Sequence, residues 1–327
     1  MKAIIRVAHG LSVVLPLLGN GVSPAFAETY PSSVIRIVVP TGPGTPPDVI
    51  SRIVATELSE VEGWRTVVEN KPGALQTIGM AEVLKQQADG YTIYSMSVPT
   101  AAVPALMPQA GIRPEVDFAP IIKLSKSYNA LVVTPSLPVS SVPELVALLK
   151  QHPGKYNYSS AGFGTPAHLI GEMFKLQTSV QALHVPYQQS QQRLGDLLSG
   201  TNHFDFLATV TAGDFIESGR LRALAVTAPA RVAGLKDVPT VVEQGFPELV
   251  VEDYVGFAVK AGTPHETVAA LNSAINKALL KPRVVETLAK LGATTVGGTS
   301  QEFGVFLKQQ VSHWDKVIKE SGIKMSP

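Results

Sequence analysis

Two stretches of this chain join a strand to a helix through a turn rich in glycine and proline, and they set the terms for its fold. The later one runs from Tyr156 to Glu172. Tyr156 to Ser160 alternate aromatic and polar residues, as a short strand does. Gly162 and Gly164 let the backbone turn sharply and place no side chain between the amides and a guest. Thr165 suits an N-cap, and Pro166 suits the first helical position, where an N–H has no intrahelical partner anyway. His168, Leu169, Glu172 and Met173 continue at helical spacing. The start of such a helix carries free N–H groups and partial positive charge, which suit a carboxylate or phosphate. The earlier stretch has the same plan. Val34 to Pro40 is an apolar strand, Thr41 to Asp48 a turn, and Val49 to Leu58 a helix. Two such units, about 120 residues apart, predict two α/β lobes with facing loops.

The length allows this. The chain has 327 residues, 45% hydrophobic and 16% charged, enough for two ordinary α/β domains. Residues 1–27 read as a signal peptide. Lys2 and Arg6 are basic, Leu11 to Leu18 is apolar, and Ala25-Phe26-Ala27 fits a cleavage site. The apolar run is short and broken by Pro16 and Gly19, unlike a membrane span. Export to the periplasm is therefore expected. Cleavage would remove two of 27 basic residues and none of the 26 acidic ones, leaving a net charge of −1. That balance gives no reason to expect nucleic acid or an anionic membrane as partner. There is no cysteine, which excludes disulfides, a thiol nucleophile and thiolate metal sites.

Read in order, the first part alternates strand and helix. The strand at Arg65 to Glu69, the helix at Ile78 to Gln87 and the strand at Tyr91 to Ser95 follow the first unit. This β-α-β-α-β order predicts a mainly parallel sheet flanked by helices. Leu106 to Asp117 reads as loop or broken helix. Ala130 to Thr134 is strand-like, and Ser141 to Glu144 forms a capping box before a helix at Leu145 to Lys150. Beyond the central unit come a strand at Gln181 to Tyr187 and a helix at Arg193 to Ser199. Strands at Phe204 to Ala208 and Leu221 to Thr227 flank a helix near Phe215 to Ser218. Tyr254 to Val259 is a further strand, and the remainder is helical from Thr263 onward.

Several short motifs occur in a telling order: Arg36 to Pro40, Val68 to Ala74, Ala88 to Thr92, Asp117 to Pro120, Ser159 to Thr165, His184 to Tyr187, Leu221 to Thr227 and Asp237 to Thr240. Together, over essentially the whole chain after residue 27, they resemble the tripartite tricarboxylate transporter substrate-binding family, also called Bug proteins. The resemblance implies a two-lobed periplasmic binding protein of the Venus-flytrap type that closes on a small organic acid. It implies no enzymatic activity, no cofactor and no metal. It places lobe 1 at residues 28–129 plus 252–327 and lobe 2 at 130–251, with crossover strands at Ala130 to Thr134 and Tyr254 to Val259. The implied partners are the membrane subunits of a tripartite transporter, or a sensor kinase if the protein signals instead; the chain is expected to act as a monomer. The implied ligand contacts are Thr41, Gly42, Gly44 and Thr45 in the first loop and Gly162, Gly164 and Thr165 in the second. Side chains of Ser97, His168, Tyr187 and Thr209 complete the set.

The sequence departs from the family pattern near this site. The family's first loop reads Pro-Phe-x-Pro-Gly-Gly-Gly-Thr-Asp, whereas here Thr41 replaces the aromatic, and Thr45, Pro46 and Pro47 replace two glycines and the threonine. Pro46 and Pro47 carry no N–H, so two backbone donors are lost from a carboxylate cradle. The same residues read locally as a capped helix, with Thr45 at the N-cap and Asp48 closing a Thr-x-x-Asp box. Leu75 and Gln76 stand in a stretch where the family reads Ala-Gly-Gly-Asn-Ile-Gly, Gln188 and Gln189 follow Tyr187 in place of Lys-Gly, and Thr209 stands where the family often has aspartate. The expected ligand is accordingly a single carboxylate on the second loop with a less charged or aromatic far end.

Other chemistries find little support. Gly162 to Ala167 formally matches a dinucleotide-binding turn, but Gln177 to Gln192 contains no acidic residue to hold a ribose. No Gly-x-Ser-x-Gly elbow marks a hydrolase, and the seven histidines show no metal-ligand spacing.

Overall fold

The computed structural model describes residues 30–323. The signal peptide expected at 1–27 lies outside the described residues. No helix among those described is long and apolar enough to cross a membrane.

The chain builds two lobes, each a mixed sheet with helices on its faces. The first half of the first lobe runs β1 (Ile35–Val39), α1 (Pro46–Glu62), β2 (Thr66–Asn70), α2 (Thr77–Leu84), β3 (Thr92–Ser97), α3 (Val98–Leu106), α4 (Pro114–Asp117) and β4 (Phe118–Ser127). The second lobe follows with β5 (Asn129–Val133), α5 (Val142–Gln151), β6 (Asn157–Ser160), α6 (Pro166–Thr178), β7 (Leu183–Pro186), α7 (Ser190–Ser199), β8 (Phe204–Ala208), α8 (Thr209–Glu217) and β9 (Arg222–Val226). The chain then returns through β10 (Asp253–Lys260), α9 (His265–Leu279), α10 (Pro282–Lys290), β11 (Thr294–Gly297) and α11 (Ser300–Ser321).

The strand order is β11-β4-β10-β3-β1-β2 in the first sheet and β7-β6-β8-β5-β9 in the second. β1, β2 and β3 pair in parallel, as do β6, β7 and β8. Antiparallel pairs come from β10, β4 and β11 in one lobe and from β5 in the other. The ten-residue β4 falls in a stretch the sequence reading left unassigned beyond Asp117. Only Tyr128 separates β4 from β5, so one nearly continuous extended segment carries the chain across. The reverse passage is at 250–252, with Val251 bonded to Thr227 just before β10 begins.

β1 shows why the central strands read as mainly apolar runs, Arg36 alone interrupting it and pairing with Glu69 and Glu82. Ile35, Ile37 and Val39 enter the core shared with α1 and α9, while Val38 faces the opposite core. A strand covered on both faces has no polar side to alternate with. α1 buries Ile50, Val54 and Leu58 at four-residue spacing and ends at Gly63 in the left-handed region. α11 packs on α3 and β4 and also reaches α6 of the second lobe. One core cluster runs through this contact and takes residues from both sheets. The two lobes are therefore joined by a shared apolar core.

Candidate functional site

The cleft has a volume of ≈ 540 Å³ and is lined from both lobes. Four helices begin at its wall. Thr45, Pro46 and Pro47 belong to the start of α1, Ser97 and Pro99 to α3, Thr165 to Ala167 to α6, and Thr209 to Thr211 to α8. Each brings the positive end of a helix dipole to the same space. The helix near Phe215 thus starts six residues earlier than the sequence suggests, and that extension brings Thr209 to the wall. Val98 to Leu106, unassigned from sequence, forms α3 because Ser97 and Thr100 close a capping box at the end of β3.

The two glycine turns prove to be the same device. Gly44-Thr45-Pro46-Pro47-Asp48 and Gly164-Thr165-Pro166-Ala167-His168 each place a left-handed glycine ahead of a threonine N-cap, with φ 80° at Gly44 and 72° at Gly164. In the first, Thr45 Oγ1 donates to Gly42 O at 2.8 Å; in the second, Thr165 Oγ1 donates to Gly162 O at 2.7 Å. The residue four positions after each glycine then accepts its N–H. Asp48 Oδ2 does so at 2.9 Å and His168 Nδ1 at 3.0 Å. Asp48 therefore reaches back to Gly44, not to its own N-cap as the expected Thr-x-x-Asp box requires, and Thr45 makes no side-chain cap bond. Although burial raises its pKa, hydrogen bonds from Arg52, Gly44 and Asn70 hold the Asp48 carboxyl below the usual range.

This arrangement places the expected contacts in two groups. Thr41, Gly44, Thr45, Ser97, Gly164, Thr165 and Thr209 line the cleft. Gly42 and Gly162 do not; their carbonyls accept from the hydroxyls of Thr45 and Thr165. His168 is 2% exposed and lies behind the second loop, not in the cleft. α6 is buried on almost every side, so a helix-face argument could not tell which side faced the cleft. The His168 ring lies 4.2 Å from that of His184, between centroids, and Phe163 packs edge-on against both. His184 Nε2 meets Ser160 Oγ at 2.6 Å, and Ser160 Oγ accepts the Gly162 N–H at 3.0 Å. Burial lowers the pKa of His168 to about 4 and that of His184 to about 3, the latter helped by His168 itself. Both rings are therefore neutral props of the loop. Tyr187 is also displaced: its hydroxyl donates to Asp196 and accepts from Asn202, both at 2.6 Å, under α7.

Residues without a clear signal in the sequence complete the wall. Ala74, Leu75 and Gln76 sit at φ 44°, 49° and 72°, a left-handed run that costs on the order of 1–2 kcal/mol per residue. Leu75 and Gln76 fall in the stretch that carries two glycines in the family pattern. Gln76 anchors the run: its amide donates to Ser97 Oγ at 2.9 Å and accepts from Thr100 Oγ1 at 2.8 Å. Leu75 projects across the cleft to the other lobe. A Cβ built on Gly164 would lie 2.1 Å from Leu75 Cδ1. A second closure lies at the far rim, where a Cβ on Gly292 would meet Thr209 Oγ1 and Val210 at 3.0 Å. The lobes are thus in contact on both sides of the cleft.

Charge inside the cleft is sparse. Arg193 and Asp253 are the only residues among those lining it with a formal charge. Arg193 is spent on the fully buried Asp205, which it grips with both Nε and Nη2 while Ser159 donates to the same carboxylate. Asp253 forms no ion pair among the described residues. Asn129, 3% exposed, lines the cleft with an amide nitrogen that has no partner among the described residues. No group of three or more metal-ligating side chains occurs among the described residues.

Comparison with known proteins fits this geometry. BugT of Bordetella pertussis is 34% identical over 305 residues, covering 93% of this chain and 94% of the relative. An R. palustris protein solved with adipate is 32% identical, with a TM-score of 0.79, covering 90% of this chain and 99% of that one. MatC from Rhodopseudomonas palustris, solved with bound malate, is 27% identical, with a TM-score of 0.78 and coverage of 88% and 100%. The sequence pattern described as "Tripartite tricarboxylate transporter family receptor" matches residues 50–323. With a cleft between two α/β lobes, walled by helix starts, and matches over nearly its full length, the chain belongs to the tripartite tricarboxylate transporter receptor family.

Proposed function

We propose that this protein is a periplasmic receptor that captures a small organic acid between its lobes and delivers it to the membrane subunits of a tripartite transporter. The observation that carries this reading is the convergence of four helix N-termini on one cleft. Such ends favour an anion without any ionised cation in the wall. The adipate and malate in its solved relatives are carboxylates, which supports the same class of ligand here.

The second lobe holds the carboxylate in this reading. Proline removes the N–H at two of the first three positions of α1, at one in α6 and at none in α8. In the first lobe Asp48 also occupies the Gly44 N–H and brings its own negative charge. The rest of the wall is largely apolar, with Ile50, Leu75, Phe163, Phe206, Val255 and Leu291. A monocarboxylate with an apolar body fits this better than a dicarboxylate. Residues 28–129 plus 252–327 and residues 130–251 act as the two moving bodies, and the solute favours their closed arrangement through its greater affinity for it. The working protein is a periplasmic monomer freed of residues 1–27.

A thermal-shift and calorimetry screen of linear, branched and aromatic acids against uncharged analogues tests this. An acid at about 100 times its dissociation constant should add about 2.7 kcal/mol of stability. Binding of acids but not of their amides is the expected result. A folded protein that responds to no acid, or equally to acid and amide, would overturn the reading.

A further inference from the structure

We propose that the acid carries a protonated amine, and that Asp253 on the cleft floor selects it. This rests on the carboxylate reading above and adds to it the second charge of the ligand.

The argument begins with the charges in the cleft. Arg193 is fully engaged by Asp205, so Asp253 faces the solute as the one uncompensated charge of the lining. Among the described residues its carboxylate accepts one weakly compensating bond, from the N–H of the next residue, Tyr254, at 3.0 Å. The neighbouring Glu252 is held by Lys123, which leaves that cation unavailable to Asp253. Burial pushes the Asp253 carboxyl up to about 6, with Glu252 adding to the effect. A carboxylate in such a place is costly unless paired. A simple organic acid would worsen this by bringing a second negative charge into a largely apolar space.

A zwitterion removes the conflict. Asp253 pairs with Ser127 across the β4–β10 ladder, and Asn129 lies two residues further along the crossing segment. Asn129 is therefore the diagonal neighbour of Asp253 on the same face, a relation that sets backbone positions roughly 7–8 Å apart. An α-amino acid holds its ammonium nitrogen and a carboxylate oxygen about 3 Å apart, close enough for one hydrogen bond of about 3 Å to each of two neighbouring side chains. Asn129 supplies the second, independent sign of a ligand: a buried amide donor in the cleft lining with no acceptor among the described residues. A carboxylate oxygen satisfies that donor, while the adjacent ammonium neutralises Asp253. The apolar wall takes the side chain, which points to an amino acid with an aliphatic or aromatic body.

The test is calorimetry with matched sets on the purified protein: L-valine, L-leucine and L-phenylalanine, then isovalerate, 4-methylpentanoate and 3-phenylpropanoate, then isobutylamine, isoamylamine and phenethylamine. At least one amino acid should bind about ten-fold or more tighter than its amine-free acid, the range expected for a hydrogen bond between charged groups. In Asp253→Asn, shown to be folded by circular dichroism, that preference should vanish or reverse. Amine-free acids that bind the wild type as tightly as the amino acids overturn the proposal. So does an unchanged preference in Asp253→Asn, or no heat from any amino acid. Amines that bind as tightly as the amino acids would instead sink the carboxylate reading while leaving the role of Asp253 intact.

Discussion

Gly164 faces Leu75 across the cleft, and substituting alanine there separates two physical effects that a single stability measurement would merge. The first is local. At φ 72° an L residue is strained by about 1–2 kcal/mol. Reduced freedom of the unfolded chain gives back about 0.4–1 kcal/mol. This strain is present whether the lobes are open or closed, so it lowers the melting temperature and leaves affinity alone. The second effect crosses the cleft. The new methyl would lie 2.1 Å from Leu75 Cδ1 and 3.3 Å from Cγ and Cδ2, well inside normal contact. Leu75 must leave its rotamer, at roughly 0.5–1.5 kcal/mol, or the lobes must part. With binding coupled to closure as proposed, Gly164→Ala should weaken it about five-fold. Leu75→Ala in the same chain removes the clash but not the strain. The double variant should therefore recover most of the affinity and none of the lost stability. Calorimetry and urea melts on the four proteins give both numbers. A coupling below about 0.3 kcal/mol in the binding cycle, within ordinary additivity error, would show that Leu75 does not cover Gly164 in the bound state, and the closure argument would fail.

Three further outcomes follow from the buried polar groups. Gln76→Ala relieves no backbone strain and orphans the buried hydroxyls of Ser97 and Thr100, so urea denaturation should show a loss of about 2–4 kcal/mol. Arg193→Ala leaves the fully buried Asp205 carboxylate without its cation; a loss of about 3–5 kcal/mol is expected, and a loss under about 1 kcal/mol would mean that Asp205 is not ionised in the native protein. His168, with a pKa of about 4 against an ordinary 6.5, binds its proton less well folded than unfolded. Its contribution is complete above pH 6.5 and is lost as the pH falls toward 4, on the order of 3 kcal/mol, with His184 acting in the same direction. His168→Gln keeps an acceptor for the Gly164 N–H without titrating, so its stability should fall less steeply across that window.

The parts of this molecule that were legible in the sequence are those fixed by short-range chemistry. The glycine, threonine and proline of each turn have few conformations open to them, so Gly44 to Asp48 and Gly164 to His168 announced two helix starts and two lobes. The mainly apolar runs at β1 and β5 marked strands. Position in the cleft was a different matter. His168 and Ala167 are neighbours at one helix start, yet Ala167 lines the wall and His168 is buried behind it. On a helix covered almost all round, residue type does not say which face meets the solute. Tyr187 was likewise a fair candidate by type, but Asp196 and Asn202 already satisfy its hydroxyl.

The residues that give the cleft its character come together only in three dimensions. Asp253, Asn129 and Leu75 are separated by long stretches of chain, and nothing local distinguishes them from other acids, amides or leucines. Sequence determined the turns, the strand and helix pattern and the loss of donors at Pro46 and Pro47, because these depend on backbone geometry within a few residues. Tertiary structure decided which polar groups were already partnered. Arg193 is silenced by Asp205, while Asp253 is left uncompensated, because pairing is a property of distance and burial between remote segments, and a buried charge is defined by what surrounds it.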